Sequence, residues 1–238
     1  MTYMKFDIYS QGARVLPVYL TMAPLVLLFM ALLPEGLSLP VGGASAIVLL
    51  PLSFLASQLG ADLGKKLEKQ LWHTWGGPPT TRFLRHSNTE FNEVTRTRIH
   101  SRLRALGLTV PSKEEQAGDP LSADACFESC VEELIRRTRD PKRFPLVLKT
   151  LTDYGFRRNL LGLRPLGVLL TILSLGLSTG HVYRLWHASH QVLPVPLVAS
   201  IGVLALLLVW LTWVNDETVH LAAKRYARFL LEAAPDPN

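Results

Sequence analysis

Four arginines, Arg96, Arg98, Arg102 and Arg104, flank His100 in a segment whose pattern predicts a helix over 89–106, stopped by Gly107. At about 100° per residue, Arg96, His100 and Arg104 fall opposite Phe91, Ile99, Leu103 and Leu106, as a solvated face would. Arg98 and Arg102 fall beside Phe91 and Leu106 on the inward side, where a guanidinium requires a partner. Two kinds of partner fit. One is a carboxylate from a neighbouring helix, Glu132, Glu133 or Asp153; the other is a phosphate, which arginine grips through paired N–H bonds. A second cluster has related chemistry. In Gly76-Gly77-Pro78-Pro79-Thr80-Thr81-Arg82-Phe83-Leu84-Arg85-His86, a glycine turn is followed by hydroxyls and then by cations around one aromatic. Backbone N–H groups, the Thr80 hydroxyl and the Arg82 and Arg85 guanidiniums suit an anion, and Phe83 suits the face of a base. An elbow between two helices would need the same Gly-Pro run.

A third pattern is apolar in setting. Gly167, Thr171, Ser174, Ser178 and His181 recur at offsets of about three and four, the period of a helix-contact seam. Such a stripe can wet a pore shared by several subunits. It can equally pack helices closely, because small residues and hydroxyls are the usual glue between membrane helices; Gly42, Ala46, Ser53 and Ser57 would offer the matching surface.

Enzyme chemistry is not indicated. No pair of histidines has metalloprotease spacing, no phosphate-binding or dinucleotide-binding glycine pattern occurs, and the serines lack a nucleophile-elbow context. Cys126 and Cys130 sit one helical turn apart on an apolar face, which suits packing; zinc would have to recruit His86 or His100. The expectation is no cofactor, no metal and no catalytic residue.

These residues must be positioned by an all-α membrane architecture. Residues 15–33, 37–59, 165–183 and 192–214 contain no Asp, Glu, Lys or Arg. At about 1.5 Å per residue each is long enough for a bilayer of roughly 30 Å. The expected layout is four transmembrane helices in two hairpins, 15–59 and 165–214, turning at Pro34-Glu35-Gly36 and around Pro194-Val195-Pro196. A short N-terminus, 1–14, and a C-terminal helix and tail, 215–238, flank them. The insert 60–164 holds 19 of the chain's 25 Lys and Arg against 13 of its 19 Asp and Glu, a formal excess of six positive charges. It predicts helices over 89–106 and 122–139, the latter with an apolar face of Phe127, Val131, Leu134 and Ile135. A loop is expected at 110–121, and a short helix from Pro145 to Tyr154 leads through Gly155 to a span starting at Pro165. Juxtamembrane Lys5, Arg14, Lys65, Lys66, Arg157, Arg158, Arg164, Lys224, Arg225 and Arg228 all place the insert and both termini in the cytoplasm of a bacterial inner membrane.

This plan of two hairpins around a basic cytoplasmic insert resembles the membrane channel effectors of Hailong-type anti-phage defence. GGPPTTRFLR (76–85) and YGFRRNLLGLRP (154–165) are similar to stretches of other bacterial membrane proteins. The resemblance implies a homo-oligomeric ion channel gated by a nucleotide or nucleic-acid ligand on the cytoplasmic side, the ligand being made by a nucleotidyltransferase. The alternatives are a non-conducting scaffold that recruits a protein partner, and a membrane enzyme or small transporter, which the lack of ionisable groups in the spans disfavours.

The charge distribution generates a direct test of topology. Single cysteines replacing Gly36 and Gln191 are expected to react with an impermeant thiol reagent outside intact spheroplasts, and one replacing Gly118 to stay protected; labelling at 118 with protection at the other two would invert the arrangement.

Overall fold

The computed structural model describes residues 9–32, 42–190 and 194–234, and of 42–54 and Ser189 the backbone alone. The protein is all-helical, 83% helix, with no strand among the described residues. After a π-helical turn at Gln11–Val15 come α1 (Leu16–Leu32), α2 (Gly42–Trp75), α3 (Pro79–Arg82), α4 (Glu93–Ala105), α5 (Lys113–Gly118), α6 (Pro120–Arg137), α7 (Pro145–Ser189), α8 (Pro194–Thr212) and α9 (Asp216–Glu232). They form two compact units, one including Glu68–Tyr154 and the chain from Val219, the other Phe6–Leu67 with Gly155–Thr218.

In the second unit, α1, α7 and α8 are long and apolar enough to cross a membrane. The 37–59 segment expected to be another span begins outside the described residues, as does the turn at 34–36. Pro194–Pro196, expected as a turn, is instead the first turn of α8, where proline's missing N–H has no helical partner to lose. Large apolar side chains stay outward on these helices: Val26 is 58% exposed, Leu177 59% and Val198 67%. In water that much apolar surface would be unfavourable; in lipid it is the expected outer face.

Close contacts inside this unit use glycine. A Cβ on Gly162 would meet the Gly64 backbone nitrogen at 2.8 Å, and one on Gly60 would meet Leu163 Cδ1 at 3.0 Å. Gly60 and Gly64 thus form a GxxxG face on α2 that lets α7 approach backbone to backbone. Gly167 likewise makes room for the ring of buried Trp210 on α8, and Gly202 on α8 faces Leu27 of α1.

The expected interruption between the 145–154 helix and the third span is absent. α7 is one helix of 45 residues with Gly155 and Pro165 in its interior. Gly155 is accounted for by packing, since a Cβ there would meet Ala13 Cβ at 2.9 Å. Pro165 forgoes one hydrogen bond inside the helix without ending it, a tolerance familiar in membrane helices.

The first unit packs around Phe127 and Leu134, both fully buried, with Leu84, Ile99, Leu103, Leu230 and Leu231; burying each such side chain is worth about 1.5–3 kcal/mol. α6 buries Ala123, Phe127, Cys130, Val131 and Leu134, whereas Ile135, expected inward, is 39% exposed. The expected loop at 110–121 contains α5, opened by a reciprocal capping box between Ser112 and Glu115. Gly107 does end α4: at φ +80° it lets Leu108 N–H reach Leu103 O at 3.1 Å and its own N–H reach Arg104 O at 2.9 Å, the Schellman pattern.

Gly167→Val would drive a side chain into the Trp210 ring, an overpacking cost of about 1–3 kcal/mol. Gly176→Val, where a Cβ meets nothing within 4 Å, serves as control. Thermal unfolding of the purified chain in detergent should show the first destabilised and the second unchanged; equal stabilities would contradict the Trp210 packing.

Candidate functional site

The 76–86 turn is built by its glycines. Gly76 at φ +77° and Gly77 at φ +118° reverse the chain at the end of α2, and Gly77 N–H donates to Trp72 O at 2.7 Å. Pro78 and Pro79 then start α3. Within this turn Phe83 is buried, edge-on to Phe91 at 5.6 Å, so its ring is part of the core and does not face a base. Arg85 donates from Nε and Nη2 to the two carboxylate oxygens of Asp124 at 2.8 and 2.6 Å, and from Nη1 to Gly76 O at 3.0 Å. Its fork therefore ties the turn to α6. Thr80 and Arg82 are half-buried.

On α4 the inward face lies elsewhere than the helical wheel placed it. Ile99, His100 and Leu103 are buried and Arg98 is exposed, with Arg102 half-buried. The wheel erred because Phe91 precedes the helix, whose N-cap is Asn92, its side chain accepting from Thr95 N–H at 2.8 Å. A residue ahead of the cap does not follow 100° spacing. Arg96 donates to Asn88 O at 2.7 Å and Arg104 to Val110 O at 3.2 Å. His100, expected in solvent, hydrogen-bonds through Nε2 to Leu84 O at 2.8 Å, lies edge-on to His86 and stacks near Phe127. Burial lowers its pKa to about 4, with a contribution from the neighbouring cations. Glu133, one of the carboxylates expected to face Arg98 or Arg102, bonds Arg136 and Arg137 on its own helix instead.

Cys130 is buried on α6, its thiol pushed up to about 11 by burial, and Cys126 is half-buried one turn before it. Among the described residues no group of three or more His, Cys, Asp or Glu could hold a metal ion.

In the second unit Thr171, Ser174 and Ser178 are fully buried, and His181 is half-buried with Nδ1 3.4 Å from Arg184 Nη2. Thr171 donates to Gly167 O at 2.6 Å and Ser178 to Leu175 O at 3.2 Å. The Ser174 hydroxyl, equally buried, has no hydrogen-bond partner among the described residues. Ser57, from the surface expected to match this stripe, is buried, while the side chains of Gly42, Ala46 and Ser53 lie outside the described residues.

Sequence reasoning did not find Asn159. It is buried, and its Nδ2 donates to Ala13 O at 2.8 Å while Arg158 Nε donates to its Oδ1 at 3.2 Å. The signal was Pro17: in an α-helix the Ala13 carbonyl would pair with the N–H of residue 17, and proline has none.

No protein family, curated protein or solved structure matches the chain.

Arg85→Gln should lower the stability of the first unit by about 1 kcal/mol, because it unpairs a partly exposed Asp124. His100 adds a pH dependence: its folded-state pKa lies below the unfolded value of about 6.5, so its contribution is complete above pH 6.5 and is lost as pH falls towards 4. Melting of the full chain in detergent should show this acid slope, and His100→Gln, which retains a donor for Leu84 O, should reduce it.

Proposed function

We propose that the chain is a homo-oligomeric channel of the bacterial inner membrane, with 37–59 as a fourth crossing and both termini in the cytoplasm. One observation carries the conducting part. Ser174 is fully buried on a polar stripe of a membrane-type helix, yet its hydroxyl has no hydrogen-bond partner among the described residues. A hydroxyl left unpaired in apolar surroundings costs free energy of order 1–3 kcal/mol, which a water molecule relieves. We take Ser174 as the point where water enters the polar stripe, of which Thr171 and Ser178 bond carbonyls of their own helix.

Gating is assigned to the basic first unit. Arg98 is exposed on α4 and Arg102 follows one turn later, so the two lie on neighbouring positions of one helix face. Two guanidiniums so spaced suit the phosphates of a nucleotide or oligonucleotide. Phe83 and Arg85 do not take part, since one is core and the other is held by Asp124. Anti-phage defence is the setting that the resemblance to Hailong-type effectors implies, with a nucleotidyltransferase as the source of the ligand.

Planar-bilayer recordings of the purified protein test both parts. The wild type should conduct, and Ser174→Ala, which removes the unpaired hydroxyl without adding bulk, should lower unitary conductance while the assembly keeps its size. Arg98→Gln, at an exposed position, should weaken oligonucleotide binding and its salt dependence, and Arg98→Gln with Arg102→Gln should weaken them further. A wild type that never conducts, or a Ser174→Ala channel identical to it, would contradict the proposal.

A further inference from the structure

The last helix of the first unit, α9, is unevenly anchored. Its C-terminal half buries Tyr226, Ala227, Leu230 and Leu231; its N-terminal half buries only Val219, Ala222 and Ala223. Small side chains contribute little burial free energy, and beside them this first half makes a contact through a ring that could carry charge. His220 lies flat against Trp75, the last residue of α2, with centroids 4.4 Å apart and planes 18° from parallel. Its Nε2 is buried and has no hydrogen-bond partner among the described residues.

We propose that the His220–Trp75 stack is a proton-sensitive clasp, closed when the imidazole is neutral, and that protonation releases the N-terminal half of α9 while Tyr226, Leu230 and Leu231 keep the C-terminal half in place. A neutral imidazole can leave one buried nitrogen unpaired at modest cost. A protonated one must bury a charged N–H with no acceptor at that atom, and that cost is far larger.

The surrounding charges are divided. Lys224 on α9 and Arg82 on α3 oppose a proton on the ring, and Glu90, in the connection before α4, favours it. Glu90 is itself ion-paired with Lys224, which offsets much of its pull. Asp216 and Glu217, exposed in the first turn of α9, are screened by solvent. Against these, the indole face attracts a cation, by roughly 0.5–2 kcal/mol. Burial outweighs that attraction, and the His220 pKa is lowered, with burial as the largest cause. The segment that loosens starts four residues after Thr212, the end of α8, so the clasp governs the chain that leaves a membrane-type helix. The inference does not depend on conduction or on a nucleotide ligand.

Amide hydrogen exchange on the full chain in neutral-lipid nanodiscs tests it, with rates corrected for the intrinsic pH dependence of exchange. Between pH 7.5 and 5, protection of 217–224 should fall several-fold in the wild type while that of 226–232 holds. His220→Phe, which keeps a stacking ring but cannot take a proton, should abolish the fall. Protection of 93–105, read in the same spectra, reports acid loosening around His100 separately. A wild type whose 217–224 protection is independent of pH, or a His220→Phe chain that loosens just as much, would overturn the clasp.

Discussion

The membrane-type unit depends on one close crossing, where α2 and α7 meet with no side chain between them at Gly64 and Gly162. Lipid offers no hydrophobic drive between helices, so association rests on dispersion contacts and on the few polar groups that can be satisfied. Both act here. Gly60 and Gly64 present a flat face to Leu163, Asn159 and Gly162, and Asn159 spends its amide on the Ala13 carbonyl. Pro17 has no N–H to give that carbonyl in α-helical register, the chain widens into a π turn in which Leu16 N–H reaches Gln11 O, and Asn159 of α7 supplies a donor. A carbonyl left bare in this setting would cost several kcal/mol. The entry of α1 and the crossing of α2 over α7 are therefore fixed by the same amide.

The apolar helices were legible because absence of charge over about 19 residues is a signal that no tertiary context reverses. Gly107 was legible as a helix end for a related reason, caps being local chemistry, whereas the Asn92 N-cap was missed and the helix was read as starting at residue 89. The capping box at Ser112 and Glu115 was equally local and was overlooked because the Pro, Gly and Asp around it read as loop. What could not be read was pairing at a distance. Nothing in the sequence says that Arg85 finds Asp124, thirty-nine positions away, or that His100 turns to Leu84 O.

Phe91 is buried but lies outside the helix, and counting it as part of the inward face rotates α4 enough to exchange the roles of Arg98 and His100. A buried aromatic marks a face only when it belongs to the same helix. Gly155 misled in the same way: read as a break, it is instead the spot on α7 where Ala13 and Tyr9 come close. In membrane helices glycine marks places where backbones approach closely.

The central claim is the glycine crossing, and a disulfide across it is the most direct measurement. With Cys126 and Cys130 replaced by serine and alanine, cysteines at Gly60 and Leu163 should form an intramolecular bond under mild oxidation in the membrane, seen as a faster-migrating monomer on a non-reducing gel. A pair at Gly60 and Leu173 should not. Failure of the first pair to close within one chain, or closure only between two chains, would contradict the account.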